Sequence, residues 1–152
     1  MLIRPLRRAD RDQVVRMRMA LWPDSTPEEV DALLELPPTE YAVLVAERSD
    51  GRLAAFAEVG TRAYAEGCAT SPVAYLEGIW VDADARRTGV GVGLLRQAEA
   101  WARARGLSEL ASDADIANQP SLDFHRAAGF QEVERIVCFR RDLRSGPSSG
   151  KR

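Results

Sequence analysis

A chain of 152 residues, 45% hydrophobic and 29% charged, is long enough for one compact domain with a core of its own. A formal net charge of -2 offers no bulk attraction to nucleic acid or to a membrane surface. No apolar run approaches the roughly 18 residues of a membrane span, and the charged start MLIRPLRRAD lacks a signal-like apolar stretch. Residues 2–5 form a short first strand closed by Pro5. Asp10 then stands as the N-cap of a helix running to about Trp22, with Gln13 as its capping-box partner and Val14, Met17 and Leu21 on one stripe. Pro23 stops it. A second helix opens at Pro27 behind Ser25 or Thr26, carries Val30, Leu33 and Leu34, and ends at Pro37-Pro38. YAVLVAE (41–47) and LAAFAEVGTR (53–62) read as a hairpin across the turn RSDGR.

After the polar loop AYAEGCATSP, the segment VAYLEGIWV (73–81) is the strongest strand of the chain. A helix follows over about 89–105, with Leu94, Leu95, Ala98, Trp101 and Ala102 on its buried face and Gly106 as its cap. SELASD gives a short strand. The stretch 118–129 is a helix with Pro120 in its first turn and Gly129 at its end, and QEVERIVCFRRDL (131–143) is a final strand. The polar tail from 144 to 152 is expected to be disordered. The order of elements gives an α/β class with a mixed sheet, antiparallel first, in a single domain over 1–143. Cys68 and Cys138 show no metal or CxxC spacing, so two reduced thiols of a cytoplasmic protein, and no metal site, are expected.

Between the strand 73–81 and its following helix lies RRTGVGVG (86–93). A helix N-terminus presents unpaired backbone N–H groups and the positive end of a dipole. Glycines let an anion approach that backbone, and Arg86 and Arg87 add charge, so the loop suits a phosphate or pyrophosphate. It has no GxxxxGK[ST], and its spacing is not G-x-G-x-x-G. A glycine-rich turn with no ligand is the other reading of the loop alone.

The segment RRTGVG resembles the R/Q-x-x-G-x-G/A coenzyme motif of the GCN5-related N-acetyltransferases, with Arg86, Gly89 and Gly91 at the motif positions. The later N…FHRAAGF (118–130) is similar to a second motif of that family. The resemblance covers about 1–143. It implies a mostly antiparallel sheet splayed at a central parallel strand pair, flanked by about four helices, with acetyl-coenzyme A as cosubstrate. Backbone groups near Ile79 and Val81 would hold the pantetheine arm. The loop Arg86, Arg87, Thr88, Gly89, Val90, Gly91 and Val92 would take the pyrophosphate, and Asn118 and His125 would border the coenzyme.

ALWP, SPVAYLEGIWV, ELASDA and HRAAGFQEVERIVCF together resemble the small dimeric aminoglycoside 6'-N-acetyltransferases. That likeness implies an aminoglycoside or similar polyamine as partner, with Trp22, Tyr64, Glu77, Asp113 and Glu134 around it. Glu77 lies mid-strand in an apolar run. A buried unpaired carboxylate there would cost several kcal/mol, so Glu77 must face a cleft or pair with an arginine. Trp22 reads equally as core, Asp113 as a turn residue, and one of Glu132 and Glu134 as a solvated face; Asp115 reads as a cap. Glu77 is the candidate to position the amine and relay its proton. His125 stands where many family members carry a tyrosine, either as proton donor to the leaving thiolate or as a structural histidine. Another small amine, a polyamine, a peptide N-terminus, or a silent acyl-coenzyme A sensor are the competing functions. The apolar last strand points to a homodimer.

Overall fold

In the computed structural model, which describes residues 1–144, a five-stranded sheet runs in the order β1 (Leu2–Pro5), β2 (Ala42–Glu47), β3 (Leu53–Arg62), β4 (Val73–Val81), β5 (Leu110–Ser112). The first three pairings are antiparallel and β4–β5 is parallel. Four α-helices complete the fold: α1 (Arg11–Leu21), α2 (Pro27–Glu35), α3 (Val90–Ala104) and α4 (Gln119–Ala127). The expected disorder of 144–152 falls, past Arg144, outside the described residues.

The central strands are buried on both faces, which is why they read as continuous apolar runs. One face carries Leu44, Ala57, Val59, Leu76 and the α3 stripe Leu94, Leu95 and Ala98. The other carries Val45, Phe56, Val14, Met17 and Val30, and so belongs to α1 and α2. Trp101 lies at the rim of the α3 face and donates from its indole to Pro38 O at 2.7 Å.

Two expectations fail. Asp10 precedes α1 but makes no side-chain cap. Its carboxylate is claimed by both terminal nitrogens of Arg4, at 2.8 and 2.9 Å, and by the Arg7 amide. Gln13 instead accepts from the Leu53 amide at 2.7 Å, tying α1 to β3. The second failure is the final strand. Residues 131–143 form no ladder among the described residues, and Val133, Ile136, Val137, Phe139 and Leu143 stand exposed, Phe139 by 93%. An apolar strand has nothing to gain without a neighbour of matching length, and this segment lies free of the sheet of its own chain.

Candidate active site

The loop after β4 carries its polar groups outward. Arg87 and Gly89 both adopt the left-handed conformation, at φ 63° and 86°. Such residues turn successive amides toward one concavity. The amides from Arg87 to Val92 donate to no protein acceptor among the described residues; the first intrahelical bond is Gly93 N to Gly89 O. A positive φ suits glycine at 89, whereas Gly91 and Gly93 are small because Phe124 and Ile3 approach them closely. Thr88 hydroxyl donates to Ala85 O. Arg86 does not reach into the concavity. Its Nε donates to Val81 O at 2.9 Å and its guanidinium lies over Trp80. The cradle, with a helix dipole behind it, fits a pyrophosphate.

The sheet opens beside this loop. β5 pairs with β4 only across Ala74, Tyr75 and Leu76, so on that side β4 has no strand neighbour from Glu77 to Val81. On the other side the register jumps: Glu58 faces Gly78 and Val59 faces Leu76, leaving Glu77 as the extra residue of a β-bulge. A bulge re-aims the side chain it carries. Here it places Tyr75, Glu77, Gly78 and Trp80 toward the α1 face, and Leu76, Ile79 and Val81 toward α3.

Glu77 is half-buried and paired. Arg62 clasps it in a two-pronged fork, Nη2 to Oε1 at 2.7 Å and Nε to Oε2 at 3.0 Å. This arginine is the partner that a carboxylate in this strand requires. The same guanidinium lies 3.5 Å from the centre of the Tyr75 ring, and the Tyr75 hydroxyl donates to Asp113. Burial pushes the Tyr75 phenol up, and the Asp113 carboxylate adds to it. Hydrogen bonding to Glu77 likewise raises Arg62.

Trp22 covers the next residue of the strand. A Cβ on Gly78 would stand 2.3 Å from the indole, so only glycine admits this approach. Trp22 meets Phe56 edge-on at 6.2 Å and lies under the Arg18 guanidinium. It belongs to the core and to the rim of the Glu77 site together. Tyr64 and Glu134 form a separate group around Glu66. Tyr64, 65% exposed, donates to Glu66 at 3.1 Å. Glu134 is pushed up from its ordinary value by hydrogen bonding to Glu66, a like charge. No hydrogen bond or ion pair among the described residues joins this group to Glu77. Glu132 instead pairs with Arg126 and Arg135, and Asp115 caps the turn at Ala117.

His125 is held at both nitrogens. Nδ1 lies 2.7 Å from Ser121 O, an oxygen that can only accept, so Nδ1 carries the proton. Nε2, 2.8 Å from Ser112 Oγ, accepts from that hydroxyl when the ring is neutral. Asn118 spends its side-chain oxygen on capping α4, accepting from the Ser121 amide. Sequence reasoning missed Arg62, Tyr75, Glu66 and Ser112. Tyr75 was within reach, since it stands two residues before Glu77 and shares its face.

A model of the acetyltransferase (GNAT) family matches residues 8–130. The aminoglycoside N(6')-acetyltransferase type 1 of Klebsiella aerogenes is 44% identical over 147 residues, which cover 93% of this chain and 97% of that protein. Among solved structures, the aminoglycoside 6'-N-acetyltransferase AAC(6')-Ih from Acinetobacter baumannii is similar with a TM-score of 0.87 at 36% identity, over 93% of this chain and 98% of that one. AAC(6')-Iy, solved with the bisubstrate analogue CoA-S-monomethyl-acetylneamine, is similar with a TM-score of 0.84 at 31% identity, over 93% of this chain and 97% of that one.

Proposed function

The chain belongs to the GNAT acetyltransferase family, and from that premise we propose that it transfers acetyl from acetyl-coenzyme A to the 6'-amine of aminoglycosides by direct attack in a ternary complex. The observation that carries the reading is the bulge. It presents Glu77 to the α1 face at the point where β4 loses its β5 neighbour, in the strand that leads into a cradle of unpaired amides. The names of relatives that align over nearly the whole chain support the substrate.

An alkylamine is mostly protonated at neutral pH and attacks a thioester only after losing that proton. Glu77 positions the ammonium group and accepts its proton, directly or through water. Backbone N–H groups on the open side of β4 stabilise the developing oxyanion. The loop 87–92 holds the pyrophosphate. Trp22, Tyr64, Asp113 and Glu134, joined by Glu66, surround the polycation, and their charges steer it. No covalent enzyme intermediate is needed. The Cys68 thiol is pushed up by burial, away from the nucleophilic thiolate. His125 has a carbonyl at one nitrogen and a hydroxyl at the other, so it braces α4 against β5, and the leaving thiolate takes its proton from water.

The active species in this reading is a homodimer in the cytoplasm. Two free cysteines and the absence of a described helix long and apolar enough to cross a membrane agree with that compartment. The exposed apolar arm 131–143 supports the dimer, because a second chain is the nearest source of a strand for it.

The test is an acetyl-coenzyme A consumption assay run side by side on kanamycin-type amines, a polyamine and a peptide. Turnover with aminoglycosides, and regiochemistry at the 6'-amine by NMR, are the expected results. Turnover confined to the polyamine or the peptide would replace the substrate while leaving the acetyltransferase.

A further inference from the structure

Glu77 is not free to receive an ammonium group. Both of its oxygens are held by Arg62, the last residue of β3. The Arg62 guanidinium lies against the Tyr75 face, and Tyr75 leans in turn on Asp113. A carboxylate, a π face and a second carboxylate are the features by which a protein site takes up an organic ammonium. In this chain one of its own cations already has them. Resting on the amine-acetylation reading above, we infer that Arg62 determines specificity: it is a resident cation in the ammonium subsite at Glu77, and an ammonium group reaches Glu77 only by exchange with it.

The planar fork occupies both oxygens at once, so a substrate N–H donor gains the same positions only as Arg62 leaves. Arg62 can leave. Its side chain is 45% exposed, and a half-exposed ion pair is weak enough to exchange. The displaced guanidinium returns to water while the backbone of Arg62 stays paired with Val73. For a monoamine the exchange trades one cation for another with little gain. A polyamine also brings charges for Glu66 and Glu134, whose mutual repulsion no cation relieves among the described residues. A polycation can also bind through Glu66 and Glu134 with Arg62 in place, whereas a monoamine depends wholly on the exchange at Glu77, so Arg62 opposes the monoamine more than the polycation. It also sets a salt dependence, since exchange of one cation for another leaves the net charge at Glu77 unchanged.

The test uses the full chain with coenzyme A bound, and the variants Arg62→Ala and Arg62→Lys. Calorimetry gives Kd for kanamycin, spermine and the monoamine 6-amino-6-deoxyglucose; initial rates give KM and kcat. In Arg62→Ala the monoamine Kd should fall about tenfold and the kanamycin Kd only about threefold, narrowing the preference for polycations. KM should follow Kd, and affinity should become more salt-sensitive. Arg62→Lys, a cation without the fork, should fall between. Kd values unchanged within about twofold, or weakened alike for all three ligands, overturn the proposal and leave Arg62 a support of the sheet edge. If the wild-type chain acetylates no aminoglycoside, the substrate reading fails, and the spermine and monoamine Kd values still decide the role of Arg62.

Discussion

At the scale of single residues, Glu77 has to hold a cation and then take its proton. Glu77→Gln keeps the shape and removes the base. The expected result is a fall in kcat/KM of about 10²–10⁴-fold, with coenzyme A affinity changed by less than about threefold. Initial-rate kinetics and calorimetry check it, and near-wild-type rates remove Glu77 from the chemistry. His125 makes the opposite case. With its proton directed at Ser121 O, His125→Asn should keep kcat within about threefold while lowering the melting temperature, far short of the loss of a general acid. Glu77 was legible in the sequence because an ionised carboxylate in an apolar strand needs a partner. The partner was not. Arg62 stands across the β3–β4 connection, and strand register decides which side chain meets Glu77.

At the scale of elements, the α1 face of the sheet contains a charge cluster that no periodicity announces. Glu58, 1% exposed, accepts from Arg18 Nε at 2.5 Å and from the Tyr41 hydroxyl at 2.7 Å; Arg18 also reaches Ser25 and Glu29. Burial pushes the Tyr41 phenol up, with the Glu58 charge adding to it. This cluster fastens α1 and α2 to β3 directly behind Gly78. Glu58→Ala strands the Arg18 charge in an apolar layer and should cost about 3–5 kcal/mol in denaturant unfolding. A loss below about 1 kcal/mol would show the pair to be solvated.

Asp10 links β1 to the start of α1 in a similar way. Burial raises its carboxyl, but the hydrogen bonds from Arg4 and the Arg7 amide outweigh that and leave it below its ordinary 3.8. A carboxyl lowered in the folded state stabilises the fold above 3.8, and the gain is lost as pH falls through the folded value. Asp10→Asn should therefore lower the melting temperature near neutrality and flatten its decline with acid; an acid limb as steep as that of the wild type would acquit Asp10. In the sequence the element boundaries were clear, since Pro, Gly and apolar periodicity mark them. The partners of Asp10 and Gln13 were not, because a capping pattern is local and both side chains are drawn to residues of other elements.

At the scale of the whole molecule, the described chain is an incomplete sheet. β5 has one neighbour and three paired residues, while 131–143 offers a strand's length of apolar side chains to water. The periodicity of that segment is that of a strand, and its apolar edge pointed to pairing with a second chain; sequence pattern by itself does not say whose sheet a strand joins. Charges placed on the arm, Val137→Asp with Phe139→Asp, should convert the proposed dimer to monomer by light scattering at micromolar concentration. A dimer that survives them must be held by another surface.

The bulge in β4 has one more consequence. Tyr75, Glu77, Gly78 and Trp80 lie on one face, Leu76, Ile79 and Val81 on the other, and Glu77 is the surplus that breaks the alternation. Removing Glu77 would leave every remaining side chain of β4 on the face it has now, in a ladder more regular than the present one. Loss of a single codon could thus yield a tidier sheet and an idle enzyme. Along this strand it is chain length, as much as residue identity, that inheritance has to keep.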